Sequence, residues 1–225
     1  MRNGFTRLTS LGATSMAVLL FSTLAGAAAQ ATIVWTDDAS PFKGTKAIVP
    51  DGWTKGDDSS FNVDLFGPDY NKQTGNGGRI LLLADPRATA GGKNPTKLTS
   101  VGTAPTALVA WLRHNPKLAV SAPTARTIGG NLKAISVDMH VKPTAGKEDP
   151  SCTNACWTYL TFRTGCCHGT DTVTWERIYF ATIGSGTNEH VLAIAVEGRP
   201  RSAWIKVLPT AKTIIDALVV ARKRG

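Results

Sequence analysis

Most of the usual signposts of chemistry are missing from this chain. Beyond residue 31 no stretch approaches the about 20 apolar residues that a membrane-crossing helix needs, so no stable membrane insertion is expected. There is no Gly-x-Ser-x-Gly elbow, since Gly184-Ser185-Gly186 lacks its frame and reads as a turn. A phosphate loop, paired zinc-binding histidines on a helix and calcium-loop spacing are likewise missing. Lys and Arg exceed Asp and Glu but gather only at Arg222-Lys223-Arg224, too thin a cluster for a nucleic-acid face. Cysteine is confined to one sixteen-residue window, and no internal repeat or second domain is visible.

The N-terminus has the form of a secretory signal. Arg2 and Arg7 are followed by the apolar stretch Met16 to Leu24 and by small residues around Ala27-Ala28-Ala29-Gln30-Ala31 that suit cleavage. Ala27 stands where a lipoprotein signal would carry the cysteine that is acylated, so the expected product is secreted and extracellular, not lipid-anchored. The expected organisation is a signal peptide over 1–31, an N-terminal lead-in over 32–46 and one domain over 47–225. Loss of Arg2 and Arg7 takes the formal charge from +9 to +7, a basic surface drawn to acidic polymers.

Alternating apolar residues predict strands at Ala47 to Pro50, Phe61 to Leu65, Ile80 to Ala84, Leu118 to Val120, Arg126 to Ile128, Leu132 to Val141, Thr174 to Thr182 and His190 to Val196. Asp85 to Thr103, with Gly91-Gly92, Pro86 and Pro95, reads as a long surface loop. One helix is expected after a Thr103 or Thr106 cap, with Leu108, Trp111 and Leu112 on its buried face, His114 in its last turn and a stop at Asn115-Pro116. A second runs from about Thr210 to Arg222, burying Ile214, Ile215, Leu218 and Val219. The expected class is α+β, an antiparallel sheet of about 6 to 8 strands flanked by helices.

Cys152, Cys156, Cys166 and Cys167, with His168 beside them, would suggest zinc in a cytoplasmic chain. In an exported one they predict two disulfides, and no metal or cofactor is expected. If Trp157 to Arg163 is extended, a local Cys152–Cys156 bridge and a vicinal Cys166–Cys167 bridge follow; if it is a compact loop, the two pairs can cross-link it. Asp138 and His140 leave one face of their strand about 7 Å apart and join His168 as a candidate polar site without an identifiable third catalytic member. Glu176 and Glu189 read as exposed charges. Trp35, Trp157, Trp175 and Trp204 would have to lie exposed and coplanar to form a sugar platform.

Val49-Pro50-Asp51-Gly52-Trp53, Leu108 to Leu112 with Pro116, Leu118-Ala119-Val120-Ser121, Ile128-Gly129-Gly130 and Val137-Asp138-Met139 together resemble a group of secreted or membrane-tethered bacterial proteins with the PsbP/Mog1 fold. The resemblance spans about Ala47 to Leu218 and implies an α/β/α sandwich and roles in protein binding or cofactor-assembly support, with no active site to transfer. The expected function is an exported, monomeric, non-enzymatic binding or accessory protein of the bacterial envelope. Its surface would be formed by Asp85 to Thr103 and Cys152 to His168, and its partner would be an envelope protein or an acidic polymer, not nucleic acid. The alternatives are an envelope thiol-redox or metal-dependent enzyme using Cys166, Cys167 and His168, and a glycan-binding module.

Overall fold

A computed structural model describes residues 29–91, 96–148, 154–162 and 167–221. The signal segment up to residue 28, Cys152, Cys166 and Arg222-Lys223-Arg224 therefore lie outside the described residues. The strands are β1 (Gln30–Val34), β2 (Lys46–Pro50), β3 (Thr54–Asp58), β4 (Asn62–Phe66), β5 (Gly77–Ala84), β6 (Arg87–Ala88), β7 (Leu118–Val120), β8 (Thr124–Ile128), β9 (Leu132–Val141), β10 (Cys156–Thr161), β11 (Cys167–Asp171), β12 (Trp175–Ile183) and β13 (His190–Arg199). Helix α1 (Pro105–His114) lies between β6 and β7, and α2 (Arg201–Asp216) follows β13.

The main sheet runs β3-β4-β5-β13-β12-β9, all antiparallel, with β7 and β8 pairing opposite ends of β9 along its outer edge. The fold is α+β. Period-two alternation sends Leu192, Ile194 and Val196 to one face of β13 and Val191, Ala193 and Ala195 to the other, so the central strand is apolar on both sides. The first face packs against Trp35, Phe42, Val49, the α2 residues Val207, Ala211, Ile214 and Ile215, and Leu218 just beyond the helix. The second packs against Leu108, Val109 and Leu112 of α1 and against Ala88, Tyr159, Leu160 and Phe162. These last residues belong to or adjoin a small antiparallel sheet, β11-β10-β6, that covers one end of the second face.

Several details depart from expectation. In the lead-in, where Ile33, Val34 and Trp35 could form a strand or pack at the edge, β1 pairs with β2, but Trp35 and Phe42 lie in the core, each 1% exposed. Gln30 and Ala31, placed within the signal by the sequence, are the first two residues of β1. The loop 85–103 is partly structured, because β6 pairs with β10 and Thr89, bridged to Leu98, is fully buried. Helix α1 has Ala104 at its N-cap with no side-chain cap, Pro105 opening the first turn in place of a threonine hydroxyl. Trp111 is half-buried, while Val109 joins the buried stripe.

Helix α2 begins nine residues before the expected Thr210 and ends at Asp216, carrying Pro209 inside it. Pro209 and Ile205, the residue whose carbonyl loses its partner, are both exposed, so the lost hydrogen bond falls on the solvent side. Val219 is 56% exposed because the chain past Asp216 has left the helix, and Val219 pairs its backbone with Lys46. Helix and sheet approach most closely where Gly78 and Gly198 face each other across β5 and β13. A Cβ on Gly198 would come within 2.2 Å of the Trp204 backbone, and one on Gly78 within 2.6 Å of Val207. No helix among the described residues is long and apolar enough to cross a membrane.

Candidate functional site

Under the small sheet the second face of the main sheet carries a row of charges. Glu176 of β12 lies directly opposite Glu197 of β13, which lies opposite Arg79 of β5, so all three side chains leave the same face. Two carboxylates in adjacent register would repel each other if left alone. Arg79 Nε donates to Glu197 Oε2 at 2.6 Å on one flank. From above, β11 lowers His168 between the two, its Nε2 at 3.2 Å from Glu176 Oε1 and 3.4 Å from Glu197 Oε1. The Tyr159 hydroxyl of β10 donates to Glu176 Oε2, and its ring stands edge-on to the imidazole at 5.2 Å. Tyr159 and Glu176 are 0% exposed, Glu197 4% and His168 5%.

Burial favours a neutral His168, but the charges of Glu176 and Glu197 and the Glu176 contact outweigh it, and its pKa lies above the ordinary histidine value. Burial also opposes the Arg79 charge, and Glu197 more than restores it. The Tyr159 phenol is pushed far up by burial and by the two glutamates. Asp64, on β4 at the edge of the row, accepts from Asn62 Nδ2 at 3.0 Å. Burial raises its pKa against the pull of Arg79. Among the described residues Glu197 Oε1 has no hydrogen-bond partner, although it is buried.

The candidates Asp138, His140 and His168 are not brought together. Asp138 and His140 leave β9 on the α2 side, opposite His168. There Asp138 takes a two-point contact from Arg177, Nε to Oδ1 at 2.5 Å and Nη2 to Oδ2 at 2.8 Å. His140 stacks on Trp175 at 4.1 Å between centroids, with Arg201 4.4 Å from the centre of the same indole. Burial, with the Arg201 charge, lowers the His140 pKa. His114 Nδ1 donates to Ala110 O at 2.7 Å in the last turn of α1.

Glu176, expected to be exposed, is sealed by the small sheet, and Arg79, Tyr159 and Glu197 were not anticipated at all. The usable signal was Glu197 itself, a lone charge continuing the inward parity of Val191, Ala193 and Ala195 on a strand apolar on both faces.

Cys156 and Cys167 are each disulfide-bonded; Cys152 and Cys166 lie outside the described residues. Trp157 to Thr161 are extended in β10, Cys156 opposing Asp171 at one end of the hairpin and Cys167 opposing Thr161 at the other.

Concavities that open to solvent among the described residues include two beside α1. One of about 400 Å³ lies where Ala90 and Thr99 meet Trp157 of β10 and the end of α1, with Trp111, His114, Asn115, Pro116 and Lys117 as its other walls. Both indoles are half-buried, and Lys117, held on Ala145 O at 2.9 Å, has its ammonium 5.5 Å from the centre of the Trp157 ring. The other, about 700 Å³, is an open groove between the first turn of α1 and β8, β9 and β12. Small and aliphatic side chains dominate it, and its one aromatic, Phe180, is fully buried.

No family model and no curated protein matches the sequence. Among solved structures the chain is similar to LpqN of Mycobacterium tuberculosis, described as involved in cell envelope biogenesis, with 13% identity, 85% of this chain and 91% of that one covered, and a TM-score of 0.47. It is also similar to the cyanobacterial PsbP of Synechocystis, with 11% identity, coverage of 88% and 95%, and a TM-score of 0.43. An envelope protein and a PsbP are the kinds of protein that the sequence resemblance named.

Proposed function

We propose that this chain is an exported, non-enzymatic binding domain of the bacterial envelope, built on a PsbP/Mog1-like sandwich, and that it takes an acidic polysaccharide in the pocket between Trp111 and Trp157. The observation that carries the reading is the pairing of two half-buried indoles with an anchored ammonium in one pocket. An indole offers a flat apolar surface to the face of a sugar ring, and Lys117 beside it offers a charge to a uronate or phosphate. The surplus of Lys and Arg supports the same partner by long-range attraction. By contrast, the histidine, glutamates and tyrosine that could serve acid–base chemistry are buried beneath the small sheet.

The test is a tryptophan-fluorescence titration of the mature protein with polygalacturonate and with a neutral dextran. The acidic polymer should change the emission, with an affinity that falls as salt is added, while dextran should not. Trp157→Ala should lose about tenfold in affinity, equivalent to roughly 1.4 kcal/mol of contact. Equal response to both polymers, or an unchanged affinity in the variant, refutes the reading. Retention of a protein instead of a polymer from an envelope extract assigns the surface to a protein partner and refutes it as well.

A further inference from the structure

We propose that His168, Glu176 and Glu197 form a binding site for one divalent cation of the zinc type, which clips the small sheet onto the main sheet. The site is independent of the pocket assigned above. One donor atom from each of His168, Glu176 and Glu197 lies within 4.8 Å of the other two, and all three residues are buried; His168 Nε2 faces Oε1 of both glutamates. Zinc bonds nitrogen and carboxylate oxygen at about 2.0 to 2.2 Å, so neighbouring corners of its tetrahedron lie about 3.3 to 3.6 Å apart. The measured edges from Nε2, 3.2 and 3.4 Å, come close to that spacing before any adjustment to an ion.

The outer shell is arranged as for ligands that bind through one oxygen each. Glu176 presents Oε1 to the site while the Tyr159 hydroxyl holds Oε2, and Glu197 presents Oε1 while Arg79 holds Oε2. A bridging imidazolium explains the cluster less completely. Nε2 carries at most one hydrogen, directed along one line, and two carboxylate oxygens compete for it. Among the described residues Glu197 Oε1 is the one left over, buried and without a hydrogen-bond donor. A buried carboxylate oxygen without a donor needs an explanation, and a cation between the three atoms supplies one for both glutamates together. The donors come from β11, β12 and β13, so the ion would join the small sheet to the two central strands it covers.

The experiment uses the full secreted chain produced in medium supplemented with zinc, passed through gel filtration in metal-free buffer and measured by elemental and native mass analysis. Close to one zinc per chain is expected, together with a lower Tm after chelation under partly unfolding conditions. Glu176→Gln and Glu197→Gln should each weaken zinc binding by at least about tenfold. Production in cobalt(II) should give the intense visible d–d absorption of a tetrahedral site, a readout that does not depend on the variants folding. Wild-type protein without stoichiometric metal and without that absorption refutes the proposal and leaves an imidazolium between two carboxylates. Zinc held equally by both variants refutes it too, by placing the ion elsewhere, as at the surface pair His190 and Asp85.

Discussion

Replacing Arg79 by Met keeps the aliphatic stem and removes only the guanidinium, which makes it the sharpest probe of the buried row. In the native chain the guanidinium neutralises Glu197, whose side chain is 5% exposed, and lies 5.8 Å from the centre of the Tyr70 ring. Its loss leaves Glu197 directly opposite Glu176 with only His168 to share between them. Removing one partner of a buried ion pair costs about 3 to 5 kcal/mol. Arg79 is itself a quarter exposed, so water can reach part of the vacated volume and the low end, about 3 kcal/mol, applies. For a domain of this size that corresponds to a fall in Tm of about 6 to 12 °C. Urea unfolding at neutral pH in the presence of chelator, followed by tryptophan fluorescence, measures the loss without a divalent cation contributing. Adding Glu197→Gln to Arg79→Met should recover at least half of it, because the amide brings no charge to bury. A single variant less than about 1 kcal/mol below wild type, or a double variant no more stable than the single, would show that the row is not held together by charge pairing.

Three further outcomes follow from other parts of the molecule. The raised pKa of Asp64 means that its stabilising contribution is complete below the ordinary carboxylate range and is lost as pH rises through the folded value; Asp64→Asn should therefore be more stable than wild type at pH 7, with the difference vanishing on acidification, as thermal melts across pH would show. Gly198→Ala should cost about 2 to 3 kcal/mol in denaturant titration, and Gly78→Ala less, since the first added methyl meets helix backbone and the second a side chain. For the disulfides, the hairpin register separates Cys156 from Cys167 by about 16 Å along the ladder, far beyond bonding reach. The expected pairs are Cys152–Cys156 and vicinal Cys166–Cys167, so trypsin without reductant should release 148–163 and 164–177 as separate peptides; one linked species would refute the assignment.

The sequence was most legible where one local pattern determined the outcome. Leu132 to Val141 reads as a strand with Val137, Met139 and Val141 on one face, and β9 has those bounds and that face, entered through the turn at Gly129 and Gly130, both at positive φ. Helix α2 was harder to read because Pro209 punctuates it, although Trp204, Val207, Ala211, Ile214 and Ile215 keep a helical stripe across the proline. The buried row was least legible for a different reason. Whether Glu176 meets water depends on β10 and β11 lying over it and on Leu160 pairing with Ala88, a contact that no window around Glu176 contains. His168 stood out only through its neighbouring cysteines, and Asp138 and His140 were grouped with it because spacing along the chain does not say which side of the sheet each residue takes.

The meeting of Gly78 with Gly198 is followed, one residue along each strand, by the meeting of Arg79 with Glu197. A single step of register thus assigns one pair to the helix and the next to the ions, on opposite sides of the same two strands. The consequence is a four-letter criterion for finding relatives: Gly-Arg on one strand, Glu-Gly on another, aligned antiparallel. Such a pair of dipeptides is a more discriminating query than the apolar strands around it, which any two-sided sheet would share.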